Sequence, residues 1–200
     1  MEMTINAYTP MPPVVEDGVV KWRVPLGDGA VPEVALDDCG YYVKWLFDHP
    51  DRASGMNLDV AIAHIDYHEL ARAFTAVTGK PAEYIDTSFD DYFANVPLPD
   101  EAPTGYNADP KDPATMTYRD NFTGWWNLWR DSAGNKGVVT KDYALLDEIH
   151  PNRIRSAEEW FRKEDERGRA LGLGSLWERV QPEKIGVVLK LHEDRRQGDL

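Results

Sequence analysis

Apolar and polar residues alternate through 18–26 (Gly-Val-Val-Lys-Trp-Arg-Val-Pro-Leu), and this two-residue period predicts a strand. Gly27-Asp-Gly29 reads as a turn, and the apolar run 31–36 as a short buried strand. Asp37 or Asp38 then caps a helix running to about His49, closed by Pro50 and Gly55. Residues 56–62 read as a second buried strand. Asp66-Tyr-His-Glu69 has the spacing of a capping box and opens a helix with Tyr67, Leu70, Phe74 and Val77 on its apolar face. Gly79 stops that helix, with Pro81 beyond it. Residues 82–86 read as a third strand, and Ser88 caps a short helix over 89–95. Strand and helix alternate, which predicts βαβ units and a small, mostly parallel sheet.

The flanking regions have a different texture. Residues 1–18, with Pro10, Pro12 and Pro13, read as an extended lead-in. Residues 97–115 hold five prolines and little apolar content, and read as a long surface excursion. Beyond it the period is helical, over 115–131, 141–149, 156–171 and 183–194. Ser156 caps the third of these with Glu159 as its partner, Glu158–Arg162 and Glu159–Lys163 add pairs one turn apart, and Pro182 suits the first position of the last. The chain therefore reads as one domain over 1–200, with strand–helix alternation over 1–96, a Pro-rich loop over 97–115 and a helical region over 116–195.

One helical stretch stands out. In 118–129, Tyr118, Phe122, Trp125 and Trp129 fall at i, i+4, i+7 and i+11, one stripe of four rings, with Trp126 at its margin. Such a stripe packs against the fold or lines a pocket for a flat molecule. In-line Trp125 is expected in the core, and Trp126, with Trp129, Tyr118 and Phe122, is expected to contact a substrate.

Composition narrows the class. A 42% hydrophobic and 11% aromatic chain of 200 residues can bury a core. With Lys+Arg 22 against Asp+Glu 35, the net charge of −13 disfavours direct contact with nucleic acid. One cysteine, Cys39, excludes an intrachain disulfide. No apolar run approaches the ~20 residues of a membrane span. The start, MEMTINAYTP, does not read as a signal peptide. The expected location is the cytoplasm or the nucleus.

Several segments together resemble the NmrA-like family, a branch of the atypical short-chain dehydrogenase/reductases. They are Val-Pro-Glu-Val-Ala-Leu-Asp-Asp-Cys-Gly over 31–40, Thr-Gly-Lys-Pro over 78–81, Asn-Phe-Thr-Gly-Trp-Trp over 121–126, the run 142–156, and Glu158-Glu-Trp160. The resemblance is to fungal-type members, over most of the chain, and to their C-terminal, substrate-side portion. It implies an α/β, partial Rossmann-like fold with a helical C-terminal region. It also implies an NADP-binding half in full-length members that this chain does not carry. No glycine-rich loop follows a strand and opens a helix, Gly172-Leu-Gly174 lying between helices, and no tyrosine has a lysine four residues later. No cofactor is therefore expected on this chain alone.

The remaining candidates have plain alternatives. His64 and His68 are four apart, but the first precedes the helix and the second lies within it, so no metal site is expected. Asp37 and Asp38 are a candidate carboxylate pair or helix caps, and Cys39 a thiol at a helix start or a small buried side chain. His150, in a loop at a helix end, is a candidate base and substrate contact. Arg153 and Arg155 could hold an anion or bond helix-end carbonyls. The functional expectation is a protein of oxidoreductase lineage that binds a small, largely apolar metabolite. It would act as a nucleotide-independent isomerase or cyclase or as an accessory of secondary metabolism. The alternatives are a non-catalytic redox-sensing module that pairs with a second copy or partner chain, and a truncated NAD(P)-dependent oxidoreductase.

Overall fold

The computed structural model describes residues 13–96, 99–104, 109 and 111–184. Thirteen elements occur in them. They are β1 (Val14–Glu16), β2 (Val19–Val24), β3 (Val31–Glu33), α1 (Leu36–Asp48), α2 (Pro50–Ala53), β4 (Ala63–Ile65), α3 (Tyr67–Thr78), β5 (Ala82–Asp86), α4 (Phe89–Ala94), α5 (Tyr118–Arg130), α6 (Tyr143–Ile149), α7 (Ala157–Ala170) and α8 (Leu176–Arg179). The fold class is α/β, a small mixed sheet with helices, consistent with a partial Rossmann-like arrangement.

The three-stranded sheet has the order β1-β2-β5. β2 and β5 pair in parallel, with Trp22 opposite Tyr84, as the strand–helix alternation predicts. β1 adds an antiparallel edge. It folds back through Asp17 (φ 51) and Gly18 (φ 76), an Asp-Gly hairpin turn that requires positive φ at both positions. The lead-in is therefore a strand from Val14 onward. Along β2 the alternation is realised: Val20, Trp22 and Val24 are buried, and Lys21 reaches out to Glu16 and Glu83, each at 3.3 Å.

β3 and β4 form a separate antiparallel pair, with Val31 opposite Ile65 and Glu33 opposite Ala63. The strand expected over 56–62 is irregular backbone instead, and pairing begins at Ala63. The reason is a competitor for its carbonyls. The buried Arg153 guanidinium donates Nη1 to Ala61 O at 3.2 Å and to Ile62 O at 2.6 Å.

Caps fix most helix starts. Asp66, Ser88, Thr117, Asp142 and Ser156 each accept the N–H three residues on. Glu159, however, reaches back to the Arg155 N–H, at 3.0 Å. A full capping box occurs at α8, where Ser175 and Glu178 satisfy each other's backbone N–H. α1 departs from expectation: Ala35 is its N-cap, with no side-chain bond, and Asp37 and Asp38 lie inside its first turn. The described part of 97–115 is built from Asx turns at Asp109 and Asp112. Of the helix expected over 183–194, residues 183 and 184 form a turn and the rest lies outside the described residues.

Two apolar clusters result. The main one joins β2, β3, α3, α4, α5 and α7. A smaller one gathers Tyr42, Trp45, Leu146 and Ile149 between α1 and α6.

Candidate functional site

α5 lies against the main core, but not by the face expected. Trp126 is 0% exposed, whereas Phe122, Trp125 and Trp129 are half-buried. The buried line is Tyr118–Phe122–Trp126, an i, i+4, i+8 ridge. The core position expected of Trp125 is therefore taken by Trp126, and Trp125 packs against the core half-buried. The cause is the docking of the helix end. Ala30 N–H donates to Trp129 O at 3.1 Å, and a Cβ on Gly29 would stand 2.4 Å from that same oxygen. This contact sets the roll of α5 and turns Trp126 inward. Its ring meets Tyr92 at 5.6 Å, Tyr67 at 6.5 Å and Trp125 at 4.7 Å. The remaining stripe forms a ladder, Tyr118–Phe122 at 4.5 Å, Phe122–Trp125 at 6.3 Å and Trp125–Trp129 at 5.9 Å.

Around these rings lie buried polar atoms with no hydrogen-bond partner among the described residues. Trp129 Nε1 and Glu33 Oε2 are among them, while Trp126 Nε1 and Tyr92 Oη, also without a bond of good geometry, face each other. Such atoms are costly unless something bonds them. Glu33, on β3, is 4% exposed, and burial pushes its carboxyl up to about 7. Burial likewise raises the Tyr67 phenol well above its ordinary value, and the nearby Glu33 charge adds to this. Burial raises Tyr92 too, opposed by the Trp126 indole. The sequence assigns no role to Glu33 or Tyr92, and places Tyr67 only on the apolar face of a helix. The signal for Glu33 is a charged residue inside a run that reads as a buried strand, 31–36.

His150 stands apart from α5, against α1. Its Nε2 lies 3.2 Å from Asp38 Oδ1, while Asp38 Oδ2 accepts the Ile154 N–H at 3.0 Å. The Tyr41 ring stacks on the imidazole at 4.0 Å, and Tyr42 meets it edge-on at 5.7 Å. Asp37 is exposed and faces Arg167 at 3.7 Å, so the two aspartates are not a pair sharing a proton. Cys39 Sγ lies 3.7 Å from Ala35 O, the local backbone bond of a half-buried thiol.

His64 and His68 diverge. His64 Nδ1 lies 2.7 Å from the Tyr143 hydroxyl, and His68 meets the Tyr84 ring edge-on at 4.9 Å. Among the described residues no group of three His, Cys, Asp or Glu side chains could hold a metal ion. Arg153 and Arg155 both donate to Asp147 at 2.9 Å and otherwise to backbone carbonyls, so they serve local structure.

An open cleft of about 450 Å³ lies at the C-terminal ends of the parallel strands β2 and β5, where α/β sheets commonly bind ligands. Gly27, Asp28, His68, Asp86, Arg130 and Asp131 line it. Tyr84 ties it together: its hydroxyl accepts the Leu26 N–H at 3.2 Å and donates to Asp86 Oδ1 at 2.9 Å, and Asp86 also accepts the Gly27 N–H at 2.9 Å.

A mixed sheet carrying a parallel pair and flanked by helices places the chain among α/β proteins of partial Rossmann-like build. Residues 3–111 match the model of the NmrA-like family, and the chain belongs to that family. Membership makes it an NAD(P)-binding oxidoreductase-type or regulatory protein by class. The match stops short of 121–126 and 142–160. No curated protein matches the chain. No helix among the described residues is long and apolar enough to cross a membrane.

The lining of this cleft does not fit the dinucleotide's pyrophosphate. The cleft sets Asp28, Asp86 and Asp131 against the single guanidinium of Arg130, and the Gly27 N–H is already given to Asp86. A diphosphate there would face net negative charge.

Proposed function

We propose that this chain is the substrate-side part of an oxidoreductase-type NmrA-like protein and binds a small, largely apolar metabolite against α5. One observation carries the reading: two buried polar atoms without a partner among the described residues, Trp129 Nε1 on α5 and Glu33 Oε2 on β3, beside rings already packed together. A ligand with an apolar body and a polar group would satisfy both. Trp129, Phe122 and Tyr118 supply the wall, with Trp126 packed behind it. His150, held by Asp38, positions the 150–154 loop. The chain alone holds no dinucleotide tightly, so calorimetric titration with NADPH is expected to give a dissociation constant weaker than about 1 μM.

The test is titration with fluorene, a flat apolar probe, followed by tryptophan quenching. Saturable quenching is expected, with Trp129→Leu weakening it about fivefold or more. Absence of quenching at every concentration would sink the reading.

A second reading, a regulatory module acting through protein contact, is supported by α1. Leu36 (55% exposed), Val43 (52%) and Phe47 (82%) lie on one face with Gly40, an apolar stripe turned to solvent. The spacing is self-complementary. In an antiparallel pair of α1 helices from two copies, Leu36 of one would meet Phe47 of the other across Gly40, whose Cβ position is open. Light scattering is expected to show a dimer that Phe47→Asp converts to monomer. A monomeric wild type would remove this reading.

A further inference from the structure

β5 is the last strand of the three-stranded sheet, and no strand among the described residues pairs with its outer edge. The Val20 N–H donates to Pro81 O at 3.0 Å and the Thr87 N–H to Val24 O at 3.4 Å, so the odd-numbered residues of this stretch bond β2. The N–H and C=O groups of Ala82, Tyr84 and Asp86 therefore point away from β2, and no backbone group among the described residues bonds them. An edge of this kind is a template for one more strand. Space for that strand is present. A groove of about 480 Å³ lies between α3 and β5, lined in part by Ala71, Ala76 and Ala82, whose short side chains leave room for aliphatic ones. His68 and Tyr84 line both this groove and the cleft of about 450 Å³ at the strand ends, so the two adjoin. The groove is mainly apolar. The cleft sets three carboxylates, those of Asp28, Asp86 and Asp131, against Arg130.

We infer that the outer edge of β5 docks an extended segment of a partner protein, with aliphatic residues at alternate positions and a lysine or arginine two residues beyond them. The site is separate from the α5 pocket and from the α1 face. Main-chain bonds to Ala82, Tyr84 and Asp86 supply the affinity, and alternate side chains supply the selectivity. At about 3.3 Å per residue, the five residues of β5 accept a stretch of about five, whose first, third and fifth side chains fall on one face. The first two meet the alanine-lined groove. The fifth reaches the cleft, where charge decides its identity. Three carboxylates against one guanidinium favour a cation and repel a free carboxylate, so the segment is internal to its chain rather than a C-terminal end. Glu83, the other acid of the edge, is already paired with Lys21 at 3.3 Å and does not compete for the incoming charge.

The experiment titrates the full chain with two capped, fluorescently labelled peptides, Val-Thr-Val-Thr-Lys and Lys-Thr-Val-Thr-Val, followed by polarisation. They place the lysine at the Asp86 end in parallel and in antiparallel addition respectively. One of the two is expected to bind saturably, about fivefold more tightly than its counterpart with glutamate in place of lysine. N-methylation of the alternate residues whose N–H groups face β5 is expected to weaken binding about tenfold, and of the other set to be tolerated. Ala76→Trp, at an exposed position of α3, fills the groove and is expected to abolish binding while the fold is kept. Amide exchange supplies the positional readout. The bound peptide slows exchange at Ala82, Tyr84 and Asp86 and leaves Glu83 and Ile85, already bonded to β2, unchanged. No saturable binding of either peptide, equal binding of the glutamate counterparts, or slowing without that alternation overturns the inference. Protection of Ala82, Tyr84 and Asp86 in the free protein also overturns it and identifies the occupant: a second copy if protection is lost on dilution, the chain itself if it is not.

Discussion

At the scale of single residues, the two adjacent tryptophans separate packing from exposure. Trp126 is 0% exposed and touches Tyr67, Tyr92 and Trp125, whereas Trp125 is half-buried. Trp126→Ala is expected to cost about 3–5 kcal/mol in urea unfolding, and Trp125→Ala about 2 kcal/mol or less. Equal losses would mean that α5 sits at a different roll. Gly29 tests the same docking from the other side. A Cβ there would stand 2.4 Å from Trp129 O and 2.5 Å from Arg130 Cα, both backbone atoms that cannot swing aside. Gly29→Ala is therefore expected to lower stability by about 2 kcal/mol or more in the same assay, although its φ is not in the left-handed region. Both the stripe and the glycine were visible in the sequence. The roll of the helix was not, because Tyr118 and Phe122 belong equally to the line through Trp125 and to the line through Trp126, and only the Gly29 contact chooses between them.

At the scale of elements, local chemistry carried far and long-range partners did not. Capping residues at α3, α4 and α7 were legible because the bonds they make reach three residues. The Asp17-Gly18 hairpin and the Ser175–Glu178 box carry equally local signals, overlooked beside the prolines before one and the glycines before the other. The failed strand over 56–62 is of another kind. Its apolar run is real, but Arg153, some ninety residues on, takes the Ala61 and Ile62 carbonyls, and no local pattern announces that. Asp38 is similar: it reads as a cap, yet bonds His150 and Ile154. The candidate site shared this fate, its aromatic wall legible and its acid, Glu33, hidden in a β3 run. Arg153→Ala is expected to cost about 3 kcal/mol, since it strands buried carbonyls and releases the 150–155 loop. Thermal unfolding checks it. A loss below about 1 kcal/mol would show that the carbonyls find other partners.

At the scale of the whole molecule, Glu33 couples folding to pH, and the sign can be worked out. Its folded value is raised by burial to about 7 from an ordinary 4.5, so between these limits the native state holds a proton that the unfolded chain releases. The stability it contributes is fully present below about pH 4.5 and is lost as pH rises to about 7, a change on the order of 3 kcal/mol. Glu69, raised mainly by burial, works in the same direction. His64, lowered mainly by burial, works in the opposite one: the native state prefers the neutral ring, so stability is gained as pH rises towards its unfolded value. Glu16, held low chiefly by its hydrogen bond to Lys21, and Asp147, held low by Arg155 and Arg153 against the opposing effect of burial, lose their contributions only as pH falls through still lower values. The net charge of −13 adds repulsion as carboxyls ionise, but it does so in every variant. The difference between wild type and Glu33→Gln removes these shared effects. Near pH 5 the two proteins are expected to have similar stability, and above about pH 7 the Gln variant is expected to be the more stable by a few kcal/mol. Urea unfolding at a series of pH values measures it. Parallel curves for the two proteins across that range would mean that Glu33 ionises at an ordinary value, in contact with water or a cation, and would remove the buried proton from the site.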